Sequence, residues 1–143
     1  MNRSVLVACL IAIVAIAQSA VWGQANSSTR DGVYTDEQAT QGQAGYAAAC
    51  ASCHGKELQG SGAAMPPLSG TSFEMNWEGQ TVDDLFERIQ TSMPADSPGK
   101  LSRIETADIT AYILKINKLP AGKQPLPAEA ERLKSIRFEA AKK

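Results

Sequence analysis

The sequence predicts an all-α domain of three principal helices joined by Gly/Pro-rich loops, with a short helical extension at the C-terminal end. Three observations lead there. Apolar residues recur at helical spacing in three separate stretches, near residues 39–49, 82–89 and 104–116. Each stretch opens on a Thr or Ser with an acid or amide three residues later, the pattern of a capping box. The segments between them hold too many Gly and Pro residues for a regular element, and no strand pattern or internal repeat is evident.

Residues 1–23 read as a secretory signal peptide. Arg3 gives a positive start, and residues 5–17 are an almost unbroken apolar run followed by small residues at Ala20, Gly23 and Ala25. The run falls short of the roughly 20 apolar residues of a membrane span, although an uncleaved anchor is the alternative. The box ending at Cys9 resembles a lipoprotein processing site, but most of the apolar run follows Cys9 instead of preceding it. Removing the signal leaves 120 residues, one small domain, and only two of the three cysteines. Disulfide staples are then unavailable beyond that pair, so packing and any bound cofactor must supply the stability.

Residues 24–34 are polar and read as a flexible leader. Thr35 then starts the first helix, with Gln38 at capping-box spacing and Asp36 and Glu37 in the first turn, where the helix dipole favours them. Ala39, Gly42, Tyr46 and Ala49 form its apolar face. A glycine inside a helix costs stability, so Gly42 points to another helix crossing closely there. Residues 55–70 carry four glycines and two prolines and read as a loop. The second helix starts at Thr81, with Asp84 three residues on, and Val82, Leu85, Phe86 and Ile89 make its stripe; it stops before Pro94. The third starts at Ser102 with Glu105. One stripe is Ile109, Tyr112, Ile113 and Ile116 and a second is Ile104, Ala107, Ala111 and Leu114, a width that predicts burial; Pro120 and Gly122 end the helix. Residues 35–122 thus form the predicted domain. Residues 123–143 form an extension that packs across it, anchored by Leu133 and Ile136.

The net charge of −1 hides an asymmetry. Residues 24–114 carry five basic and twelve acidic side chains, and residues 115–143 carry eight basic and three acidic ones. A basic tail can mark nucleic-acid or membrane binding. Here acids alternate with the bases, which favours a solvated segment lying on an acidic body and argues against nucleic acid.

The first helix runs into Cys50-Ala51-Ser52-Cys53-His54, and His54 is the only histidine of the chain. Cys-x-x-Cys-His is the attachment run of a c-type haem: two thiols add to the vinyl groups and the imidazole binds iron. A thioredoxin-type pair would need a βαβ context, and structural zinc would need four ligands. A haem held by two histidines of this chain is excluded. Three methionines remain as thioether candidates for the opposite position. Met65 lies eleven residues after His54 between breakers, Met75 lies before Trp77 in a segment without clear structure, and Met93 follows the second helix 39 residues on, next to Pro94.

These landmarks, in order, resemble the class I monohaem cytochromes c. Gly42 and Tyr46, the Cys50–His54 run followed by Gly55, Pro66-Pro67-Leu68-Ser69-Gly70, Met93-Pro94 and Tyr112 carry the likeness, which covers residues 35–122. The segment from Thr91 to Gly99 looks most like small bacterial cytochromes that serve quinoprotein dehydrogenases. The resemblance implies a cytochrome c fold around one haem c, bound covalently through Cys50 and Cys53, with His54 and Met93 as iron ligands. It implies a Pro66 carbonyl that accepts a hydrogen bond from His54. It also implies that Gly42 and Tyr46 meet the helix bearing Tyr112, and that Trp77 reaches a haem propionate or packs at the haem edge. Met65 stands where the family often has glycine before that proline.

The function expected is outer-sphere electron transfer by a soluble, exported, periplasmic monomer without stable membrane insertion once the signal is removed. Its partners would be redox proteins, such as a quinoprotein or other periplasmic dehydrogenase and a cytochrome oxidase. Acidic residues Glu57, Asp83, Asp84 and Asp96 could steer a basic partner. The alternatives are a haem enzyme or gas sensor with an open sixth site, against which the lack of a second histidine argues, and a fixed cytochrome subunit of a dehydrogenase or oxidase complex.

Overall fold

A computed structural model of the chain describes residues 27–142; the expected signal peptide and Cys9 lie outside the described residues. These contain six helices, which we number α1 (Asp36–Ala49), α2 (Ala51–His54), α3 (Thr71–Trp77), α4 (Val82–Ser92), α5 (Arg103–Ile116) and α6 (Ala130–Lys134), and two short strands, β1 (Ser27–Ser28) and β2 (Ile136–Arg137). The fold is all-α, and its three longest helices are the three principal ones expected.

The helices start where their caps dictate. Thr81 and Asp84 form a reciprocal capping box at α4, and Ser102 and Glu105 form one at α5. At α1 only half of the expected box forms. Thr35 accepts from the Gln38 N–H at 3.2 Å, but the Gln38 side chain turns away to bond both main-chain groups of Leu126, at 3.1 and 2.7 Å. Two bonds to a buried backbone outweigh one to an exposed helix end.

α1 and α5 cross at the centre of the molecule. A Cβ built on Gly42 would sit 1.8 Å from the Asp108 carbonyl oxygen, so the two backbones touch there and only glycine fits. One turn along, the rings of Tyr46 and Tyr112 meet at 5.4 Å. α4 packs on α5, and Val82, Leu85, Phe86 and Ile89 all face the core. The two stripes read on α5 are both buried except at their outer members: Ile104, in the first turn, is 70% exposed and Ile116, the last residue, 37%. α5 ends at Asn117, before Pro120, because Lys118 takes the left-handed conformation (φ 63°).

Three further expectations are corrected. Residues 71–77, read as lacking clear structure, form α3, with Phe73 buried against Phe138 edge-on at 5.8 Å. No strands were expected, yet β1 and β2 pair in parallel, with Ser27 opposite Ile136. The described part of the polar leader is not loose. Thr29 is fully buried, its hydroxyl donates to the Glu139 carbonyl at 2.8 Å and accepts from the Glu139 N–H at 2.9 Å, and Arg30 Nε donates to Ala140 at 2.7 Å. Polar side chains order here because main-chain groups more than 100 residues away satisfy them.

The C-terminal segment runs as a strap over the body. Leu126, Leu133, Ile136 and Phe138 are all buried. Phe138 exchanges main-chain hydrogen bonds with Gly79 and Gln80 at 2.9 and 2.8 Å, which fastens the strap just after α3. Among the described residues no helix is long and apolar enough to cross a membrane.

Candidate haem site

α1 delivers Cys50 to the site. Its N–H still donates to Tyr46 O at 2.8 Å, but φ −124° at Cys50 breaks the helix and restarts it as the single turn α2. That turn holds the two thiols and the imidazole together: the N–H groups of Cys53 and His54 both donate to the Cys50 carbonyl, at 3.1 and 2.9 Å. Tyr46 reaches past the turn to donate its hydroxyl to the Gly55 carbonyl at 2.7 Å. Cys50 is buried and Cys53 exposed, and neither is in a disulfide. Burial, with the Cys53 thiol adding to it, pushes the free Cys50 thiol up to about 11.

His54 is 7% exposed. Its Nδ1 lies 2.8 Å from the Pro66 carbonyl oxygen. A carbonyl only accepts, so Nδ1 donates, and in the neutral imidazole Nε2 keeps its lone pair. The loop that brings Pro66 here is held shut by main-chain bonds. Gly60 N–H donates to His54 O at 2.8 Å, Ser61 N–H to Met65 O at 2.9 Å, and Leu68 N–H to Leu58 O at 2.8 Å. Gly60 adopts φ 68°, and a Cβ on it would come within 2.6 Å of Met65 O and Pro67 N. Gly60 is a residue that sequence reasoning passed over; among so many loop glycines nothing marked it out.

The three methionines differ. Met93 closes α4, its N–H bonded to Ile89 O at 3.0 Å, and it is half-buried against the core. Met75 is 75% exposed on the outside of α3. Met65 is half-buried within the Pro66 loop, where its sulfur accepts from the Ser61 hydroxyl at 3.4 Å. Trp77 ends α3 and its ring packs on Phe73 at 6.2 Å. The structure thus joins Cys50, Cys53, His54 and Pro66 directly, while Met93 and Trp77 come from separate elements. Of the acidic residues read as steering charges, Glu57, Asp84 and Asp96 are exposed but Asp83 is buried on α4.

Residues 37–113 match the protein family described as cytochrome c oxidase, cbb3-type, subunit III, which is more than half of the chain. The chain belongs to this family of c-type cytochromes. The matched segment runs from α1 through the Cys50–His54 turn, the Pro66 loop and Met93 into α5, and the strap lies outside it. No curated protein and no solved structure matches the chain. As a class I c-type cytochrome the protein carries haem c and its iron, bound covalently at the Cys50/Cys53 pair. The residues present fit that group. Both thiols are unpaired, three positions apart on one turn, and the one imidazole has Nδ1 occupied and Nε2 available.

Proposed function

We propose that His54 and Met93 would both hold the iron of a bound haem, and that the protein is an exported carrier of single electrons. Bound haem c supplies a ferrous–ferric couple. The observation that carries this reading is the bond from His54 Nδ1 to Pro66 at 2.8 Å. It fixes the ring plane, holds the proton on Nδ1 and makes Nε2 a stronger donor. The Met93 thioether, soft and neutral, favours the ferrous state. Trp77 would donate its indole N–H to a propionate or pack at the cofactor's edge. The carrier takes electrons from a periplasmic dehydrogenase, of quinoprotein or other type, and gives them to a terminal oxidase in brief, weak encounters.

A second reading is favoured by the family's description, which is that of an oxidase subunit. In it the same haem chemistry is lodged permanently in a membrane complex. Purification separates the two: a carrier leaves the membrane fraction with salt, and a subunit stays with an oxidase through detergent extraction.

The ligand assignment is tested by the ferric visible spectrum. The weak far-red band of methionine-to-iron charge transfer is expected in the wild type. It should vanish in Met93→Ala and persist in Met65→Ala and Met75→Ala. A high-spin ferric protein, or rapid carbon monoxide binding by the ferrous form, would overturn it.

A further inference from the structure

The loop that presents Pro66 to His54 is tied to the end of α5 by the side chain of Asn117. Its Nδ2 donates to Leu68 O at 3.0 Å and to Ile113 O at 2.8 Å, and its Oδ1 accepts from the Gly70 N–H at 3.0 Å. The residue is 4% exposed. Of these three bonds, only the one to Ile113 caps the helix. The other two grip the downstream limb of the loop, whose neck is closed by Leu68 N–H on the carbonyl of the fully buried Leu58. Pro66 lies two residues before Leu68. Its carbonyl therefore stands where the Asn117 clamp puts it.

The other partner is placed from the same helix. His54 follows from α1, and α1 is located by the contact of Gly42 with Asp108 of α5. Asp108 and Asn117 are nine residues apart, about 13.5 Å along a helix. α5 is thus a common ruler for both ends of the His54–Pro66 bond.

We propose that Asn117 is a positioning residue for the iron ligand His54: by clamping residues 68–70 to the end of α5 it sets the reach of the Pro66 carbonyl to Nδ1. The clamp thereby controls the orientation and donor strength of the imidazole. This rests on the reading of His54 as a ligand.

The test uses the holoprotein with Asn117→Leu, which keeps the shape and removes the polar atoms. The ferric spectrum is expected to remain low-spin with its far-red band. The reduction potential should rise, because a slackened Pro66 bond leaves the imidazole a poorer donor to ferric iron. The His54 Nδ1–H, followed by NMR in the reduced state, should exchange with solvent at least about tenfold faster, the equivalent of one lost buried hydrogen bond. Leu133→Ala, which loosens the distant strap, should lower stability and move neither readout. If Asn117→Leu is less stable but keeps the wild-type potential and Nδ1–H exchange, Asn117 is only a helix cap and the proposal fails. If the variant does not accumulate, the wild type decides. The Gly70 amide and the His54 Nδ1–H should then show equal protection from exchange, and protection factors differing more than about tenfold overturn the proposal. A wild-type protein without low-spin histidine ligation defeats the ligand reading itself, which separates the two failures.

Discussion

Gly42 and Asp108 meet backbone to backbone, with room for no atom between them: a methyl group on Gly42 would lie 1.8 Å from the Asp108 carbonyl oxygen. Because a carbonyl cannot rotate away as a side chain can, Gly42→Ala must push α1 off α5. We expect a loss of about 3 kcal/mol or more, above the usual range for overpacking. Gly45→Ala is the control. Its new methyl would meet Ile109 Cγ1 at 3.2 Å, a side chain able to yield. The gain in helix propensity, about 0.5–1 kcal/mol, should offset most of the cost. Denaturant titration of both variants checks the contrast.

The strap depends on Gln38. Gln38→Leu would leave the N–H and C=O of Leu126 without the partners they have at 2.7 and 3.1 Å. A cost of about 2–4 kcal/mol is expected for two orphaned buried groups. Limited proteolysis should cut first within residues 120–128, and the visible spectrum should not change.

Asp83 is a source of instability on α4. It is 8% exposed, and Oδ1 has no hydrogen-bond partner among the described residues. Burial, then the Glu87 charge, raise its carboxyl above the usual range, although Lys134 and Arg103 pull the other way. The folded protein therefore holds this proton to higher pH than the unfolded chain does. The group's contribution is most favourable below the ordinary aspartate range and is lost as pH rises through the raised value. Asp83→Asn should add on the order of 0.5–1 kcal/mol at pH 7, since a favourable charge in the first helical turn is given up as well. That advantage should disappear as pH falls below about 4. Urea unfolding of both proteins between these limits measures it.

At the alkaline end buried tyrosines contribute, and Tyr34 is one of them. It is 1% exposed, donates to Leu119 O at 2.6 Å, and is pushed up to about 12 by burial and then by the Asp36 charge. Its contribution is complete below about pH 10 and is lost as pH climbs through 12. Tyr34→Phe should cost about 1 kcal/mol at neutral pH and make the alkaline fall in stability shallower. Phenolate absorbance recorded beside thermal melts tests both parts.

What could be read from the sequence was what local chemistry decides. The capping pairs Thr81/Asp84 and Ser102/Glu105 work within one turn and needed no knowledge of the rest of the chain. The attachment run is likewise a five-residue signal, and Gly42 betrayed a helix crossing because a helix has no other use for it. Where distant groups intervene, sequence reasoning failed. Gln38 has a partner 88 residues away, and Thr29 one 110 residues away. α3 starts at Gly70 without a side-chain cap and is held by Phe73 under Phe138, a contact that no local pattern encodes. Asn117 carried one faint mark, an amide just past the last apolar residue of a helix, which reads as an ordinary cap until the loop it grips is seen.

The pairing of β1 with β2 also has a mechanical meaning. The strands run parallel, Ser27 N–H donates to Ser135 O at 3.0 Å, and Thr29 and Arg30 continue the attachment to Glu139 and Ala140. A pull on residue 27 from whatever precedes it loads these bonds together, in shear. The strap thus takes up the first of the load, ahead of α1 and the turn that carries Cys50, Cys53 and His54.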